Sequence, residues 1–221
     1  MTIGARVPMV DAHERVTGSL EYVLDMALPG MAEAKVLRSP HAHARIVRID
    51  ASRAAALPGV VAVLTGADLV GRDDIVPTYG LFIRDQPPVA IDVVRHAGEP
   101  VAAVAALDAA TASRALDLIE VDYEPLAAVF DVEAALAPGA PILHPGPRLL
   151  ASGRPDIVAR QPGFAGTNVI HLFTQRKGDP AAGFARAEVV IEHVYSSPAA
   201  SHVSLEPHVA LATWTNRRLT V

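Results

Sequence analysis

The sequence contains no cysteine among its 221 residues. That excludes disulfides, thiolate nucleophiles, cysteine-type zinc sites and iron–sulfur ligation on this chain, so any iron–sulfur chemistry belongs to a partner. Aromatic residues are scarce, at 5% with a single tryptophan, and much of the 51% hydrophobic fraction is alanine and valine. Basic charge is not in excess: the formal net charge is −5 and the pI about 6.0, which offers no electrostatic reason to approach nucleic acid or an anionic membrane. Long apolar runs are missing too, and the longest, such as Val101–Leu107, are far too short to span a bilayer. The opening MTIGARVPMVDAHERV carries charges where a secretory signal would have its apolar core, so a soluble cytoplasmic protein is expected. A mean hydropathy of +0.28 is ample for a packed core and argues against disorder.

Periodicity and punctuation divide the chain. Leu20–Leu24, Ala34–Arg38 and Arg45–Ile49 read as short strands, and Asp50 stands where an N-cap would precede a short helix over Ser52–Leu57, stopped by Pro58-Gly59. Val60–Leu64 is a continuous apolar run and reads as a buried strand. Residues 66–90 read mostly as loop. Val101–Leu107 is the next strand. Asp108 caps a helix to about Leu118, whose buried stripe would be Ala109, Ala112, Leu116 and Ile119, and Ile119–Tyr123 returns as a strand. The order strand, helix, strand suggests a βαβ-like unit on an α/β scaffold. Asp131–Leu136 reads as one more helical turn. Residues 137–166, rich in Pro and Gly, read as a linker or extended surface loop. Beyond it come a strand at Asn168–Gln175, a helix opened by Asp179-Pro180, and strands at Glu188–Ser196, Ser201–Leu205, His208–Trp214 and Arg218–Val221. The last has no turn residues after it, and such an edge is normally paired or covered, here by a partner chain.

The candidate chemistry is thin. His41 and His43 are spaced to share one face of a strand, but a metal needs a third or fourth ligand and the neighbourhood supplies none, which favours a structural role at a strand start. His202, Glu206 and His208 surround Pro207, which imposes extended geometry, and a polar cluster explains them better than acid–base catalysis. Gly66–Gly71 lacks the Lys and Ser/Thr of a phosphate loop, because Arg72 and Asp73 follow. Asp73-Asp74 reads as a solvated pair. Glu120, Asp122 and Glu124 read as an exposed strand edge, and Trp214 as a packing residue. No catalytic, cofactor-binding or metal-binding residue is assigned on this chain.

Several ordered blocks carry a resemblance. They are Asp11-Ala12-His13-Glu14-Arg15-Val16-Thr17-Gly18, then Leu28-Pro29-Gly30-Met31, and then Leu37-Arg38-Ser39-Pro40-His41-Ala42-His43-Ala44. Pro58-Gly59-Val60-Val61-Ala62-Val63-Leu64-Thr65-Gly66, Val94-Arg95-His96-Ala97-Gly98-Glu99-Pro100-Val101-Ala102 and Val121-Asp122-Tyr123-Glu124-Pro125-Leu126 follow in order. Together they resemble the α+β hammerhead domain of the xanthine dehydrogenase and aldehyde oxidase family, the molybdenum hydroxylases, with Arg15 for a usual Lys and Ala32-Glu33 for a usual bulky pair. Gly178–Phe184 and Leu205-Glu206-Pro207-His208 resemble the opening of that family's first molybdopterin-binding domain.

The resemblance implies a hammerhead over residues 1–136, a linker over 137–166 and the truncated start of the molybdopterin-binding domain over 167–221. It implies an N-terminal fragment or split subunit of an enzyme that hydroxylates aldehydes or N-heterocycles, inactive alone. The complete enzyme would use molybdenum–molybdopterin cytosine dinucleotide, with [2Fe-2S] clusters and FAD on partner subunits. The family's S-T-Q segment, glycine-rich pterin loop and distal glutamate base do not occur here. The alternatives are a non-catalytic assembly module that retains the hammerhead, and an independent metal protein built on His41 and His43.

Overall fold

In this computed structural model, residues 3–80, 83–145, 149–150, 166–170, 174–175 and 177–221 are described. In chain order the elements are α1 (Ala12–Thr17), β1 (Glu33–Arg38), β2 (Ala44–Asp50), α2 (Ser52–Ala55), β3 (Val60–Thr65), β4 (Ile83–Arg84), β5 (Val93–Val94) and β6 (Pro100–Ala106). They continue with α3 (Ala109–Leu116), β7 (Glu120–Pro125), α4 (Val132–Leu136), β8 (Leu149–Leu150), α5 (Pro180–Arg186), β9 (Thr213–Thr215) and β10 (Arg218–Thr220). Contacts separate the chain into two units, Ala32–Lys177 and the pair of segments Met1–Met31 and Gly178–Val221.

The larger unit is built from two three-stranded sheets, β1-β6-β3 and β5-β2-β7, with a minor β4-β8 pair. Every described ladder is antiparallel. The expected βαβ crossover therefore does not form. β6 and β7 flank α3 but lie in different sheets, β7 having paired with β2, and the architecture is α+β. β6 occupies the centre of its sheet, where Val101, Ala102, Val104 and Ala106 are buried and Ala103 and Ala105 half-buried, and Pro100, which lacks an N–H, is tolerated as the first strand residue. β3 is an edge strand, so its apolar run is not buried on both faces as the sequence suggests, and Val61 is 60% exposed.

α3 starts where Asp108 accepts a hydrogen bond from the Thr111 amide at 2.7 Å. The buried stripe is Thr111, Ala112 and Ala115, leading to Ile119, rather than one that begins at Ala109. A threonine can replace an apolar residue there because its hydroxyl donates to Asp108 at 2.8 Å and enters the core satisfied. Ala54, Ala102, Val104, Ala115 and Ile119 form one core cluster, and Ala44, Ala90, Val94 and Val101 form a second. Ile49 and Val121 pack against both, so the two sheets share one interior.

The smaller unit is different in kind. Residues 12–17 form a helix, closed by Gly18 at φ 70°, and Leu20–Leu24 is not a strand but leads into a 3-10 turn over Val23–Asp25. The Asp179-Pro180 start is present, with the Asp179 carboxylate accepting from the Ala182 amide at 3.0 Å. Of the strands expected after it, only Thr213–Thr215 and Arg218–Thr220 form, as a hairpin turned by Asn216 and Arg217 at φ 51° and 62°. The expected terminal strand is thus paired with its neighbour. Residues 188–196 and 201–205 join no described ladder, nor do the described residues of 168–175. No described residue of this unit is buried, and Val194, Leu205 and Trp214 are exposed despite their apolar character.

Candidate functional site

The His41–His43 segment lies between β1 and β2, in a bend rather than on a strand, so the same-face rule does not apply to it. The Ser39 hydroxyl accepts from the His41 amide at 3.0 Å and donates to the His41 carbonyl at 3.2 Å, which shapes the bend. The His41 ring packs on Tyr123 with centroids 4.8 Å apart. Burial pushes the Tyr123 phenol above its ordinary pKa, opposed by a hydrogen bond with Ser39. His43 is buried; its ring Nδ1 is hydrogen-bonded with the Ala127 carbonyl, and its own carbonyl accepts from Leu126 N at 2.9 Å. Both imidazoles therefore hold β2 against the exit of β7.

A polar clasp gathers behind β5, in a block that sequence reasoning matched but gave no role. Glu99 is 8% exposed. Its carboxylate accepts the Arg95 backbone N–H and faces the Arg95 guanidinium at 3.9 Å. Arg95 Nε donates to the Leu143 carbonyl at 2.8 Å, and Nη1 to the Val93 carbonyl at 3.0 Å. The other side of the Leu143 peptide is held as well, its N–H donating to Asn168 Oδ1 at 3.0 Å. Asn168 Nδ2 in turn reaches the Ala135 and Pro141 carbonyls at 3.1 and 2.9 Å. Arg95, His96, Glu99, Tyr79, Asp85 and His144 line an open cleft of about 230 Å³ beside this clasp. His144 Nδ1 lies 3.7 Å from the Asp85 carboxylate.

The remaining candidates separate. Glu120, Asp122 and Glu124 are exposed on the edge strand β7, and all three meet basic partners: Arg45 with Glu124 and Arg48 with Asp122, both at 3.0 Å, and Arg53 with Glu120 at 3.2 Å. Gly66 is buried and opens a 3-10 turn closed by Asp68, which accepts from the Thr65 amide at 2.7 Å. A Cβ there would fall on the Ala90 carbonyl and 2.6 Å from Ile91 Cα, so this glycine serves a close backbone approach and no phosphate. Asp74 pairs with Arg72 at the surface. His202, Glu206 and His208 are exposed in irregular chain, and Trp214 lies on the hairpin at 69% exposure. In the same unit Arg15 is bound to Asp11 at 2.8 Å; this contact chiefly raises its pKa, with Glu206 adding a smaller contribution of the same sign.

Among the described residues no group of three or more His, Cys, Asp or Glu could hold a metal, and no buried side-chain polar atom lacks a partner. Nor is any described helix long and apolar enough to cross a membrane.

The comparisons match this geometry. Residues 17–127 match the aldehyde oxidase and xanthine dehydrogenase a/b hammerhead domain, and residues 164–221 match a molybdopterin cofactor-binding domain. The chain is 35% identical to the probable hypoxanthine oxidase of Escherichia coli, with 99% of this chain and 25% of that protein aligned. It is 31% identical to the nicotinate dehydrogenase large molybdopterin subunit of Eubacterium barkeri, over 97% of this chain and 45% of the relative. Among solved structures it is similar to reconstituted CO dehydrogenase from Oligotropha carboxidovorans, with a TM-score of 0.58 and 42% identity over 63% of this chain and 17% of that one. The chain thus spans about a quarter to under half the length of the curated relatives it matches. With a hammerhead match over 17–127 and a molybdopterin-domain match after it, this chain belongs to the aldehyde oxidase and xanthine dehydrogenase family of molybdenum hydroxylases.

Proposed function

We propose that the chain is the scaffold part of the large subunit of a molybdenum hydroxylase acting in the cytoplasm on an aldehyde or an N-heterocycle. In this reading residues 1–136 form the hammerhead, 137–166 a connection, and 167–221 the opening of the molybdopterin-binding domain. The remainder of the large subunit holds a molybdenum–molybdopterin cytosine dinucleotide. Partner subunits carry [2Fe-2S] clusters and FAD, which take the electrons away. The chain by itself is inactive.

The observation that carries this reading is the contrast between the two units. One has a shared core. The other has strand-type sequence, a two-stranded hairpin, and apolar side chains such as Ile191, Val194 and Leu205 in the open. An isolated two-stranded ribbon is marginal in water, so a fold of this kind is completed by further protein. The test is affinity purification of the tagged chain from its own host, with a dye-linked assay on a panel of aldehydes and N-heterocycles. The complex is expected to turn over at least one of them, and the chain alone none. A chain that purifies alone from its host would remove this reading and favour an independent assembly module.

A further inference from the structure

Among the described residues, the β1-β6-β3 sheet packs one face on α2 and α3 and leaves an apolar opposite face partly exposed. Cross-strand register groups Lys35, Val104 and Val63 with Leu37 and Ala102 on the face that packs on α2 and α3. The alternate positions are Val36, Ala103 and Leu64 in one row, and Ala34, Ala105 and Ala62 in the next. These six form the opposite face, because successive strand residues point to opposite sides. None of them is polar. Val36 is 40% exposed, Ala34 and Ala62 are exposed, and the other three are only half-buried. An antiparallel sheet that keeps one face in water normally alternates apolar and polar residues there. This one does not, and it has no lysine or glutamate in the patch to discourage association.

We propose that this outer face, Ala34, Val36, Ala62, Leu64, Ala103 and Ala105, is the seat of an apolar, uncharged helix or sheet belonging to the remainder of the large subunit. The inference rests on the function proposed above. Three observations select that occupant. The hypoxanthine oxidase relative is about four times as long as the aligned region, since 25% of it is covered, so most of a large subunit lies outside this chain. The patch is uncharged, as permanent contacts inside one subunit are, whereas separately assembling subunits meet through more polar surfaces. Its side chains are mostly alanine, and a flat alanine face admits a second layer at close range, which a two-layer domain requires.

The test uses the absence of cysteine. Ala62→Cys places a single thiol on the face, and Ala110→Cys places one on the exposed start of α3 across the sheet as a reactivity reference. Each tagged variant is labelled with a maleimide, as isolated chain and in the complex purified from the host. The expected result is at least a tenfold slower labelling of A62C in the complex. Labelling within twofold of the isolated chain would overturn the inference while leaving the hydroxylase reading intact. A photo-crosslinking residue at Val36 identifies the occupant. Linkage to the remainder of the large subunit is expected. Linkage to an iron–sulfur subunit, an FAD subunit or a second copy of this chain would overturn it. If no complex forms, the hydroxylase reading falls first.

Discussion

Removal of the Glu99 carboxylate is the sharpest perturbation of the clasp. In Glu99→Ala the Arg95 amide loses a charged acceptor carried by a residue only 8% exposed. A hydrogen bond to a charged group is worth about 1.5–3 kcal/mol, and stranding the buried donor adds a penalty of about 1–3 kcal/mol. The Arg95 guanidinium also loses its nearest buried counter-charge, but at 3.9 Å that pair adds little, and the Leu143 and Val93 carbonyls still hold the side chain. With both contributions near the low end of their ranges, the loss is about 3 kcal/mol. Glu99→Gln keeps an acceptor of the same shape and loses about 1 kcal/mol. In urea unfolding followed by circular dichroism, a slope of about 2 kcal/mol per M places the alanine midpoint about 1.5 M below the parent and the glutamine midpoint about 0.5 M below it. If alanine and glutamine both unfold within 0.25 M of the parent, roughly 0.5 kcal/mol at that slope, the clasp does not stabilise the fold and the reasoning is wrong.

Other consequences follow from single contacts. Gly66→Ala forces a Cβ onto the Ala90–Ile91 backbone and is expected to cost about 2–3 kcal/mol, while Gly71→Ala, in open space at φ +71°, costs only about 1 kcal/mol; thermal unfolding of both variants measures the difference. The Asp108 carboxyl is held below its usual pKa, chiefly by the Thr111 amide. Its contribution is therefore present above the unfolded carboxylate value and lost as pH falls through the lower folded one; an acid titration of helix content in Asp108→Asn should lack that component. Replacing His41 and His43 together by alanine should leave metal content unchanged while lowering stability by about 1–2 kcal/mol through the lost bond to Ala127; a fall in bound metal by elemental analysis would revive the metal reading.

What could be read from the sequence was what acts locally. Asp108, Asp131 and Asp179 each cap a helix through an amide three residues on, so the cap and the helix start share one stretch of chain. β1, β2, β6 and β7 show in their own residue patterns. The hammerhead blocks were legible as a family pattern, and the domain matches agree with it. The clasp and the His43 contact were not legible, because their partners are distant in sequence: Arg95 meets Leu143 and His43 meets Ala127, and nothing in either neighbourhood announces the other. The α1 helix went unseen because it is short, although Asp11 and Arg15 at helical spacing and Gly18 after them were its signal. The strand readings over 188–205 failed for another reason. A pattern records what a segment prefers, while a strand also needs a neighbour, and no described ladder supplies one.

The central claim is that this chain is a scaffold whose metal is held elsewhere. The direct measurement is molybdenum by elemental analysis on two preparations, the purified chain alone and the complex isolated through it. The account predicts no molybdenum in the chain alone and a stoichiometric amount in the complex. Stoichiometric molybdenum in the chain alone would contradict it.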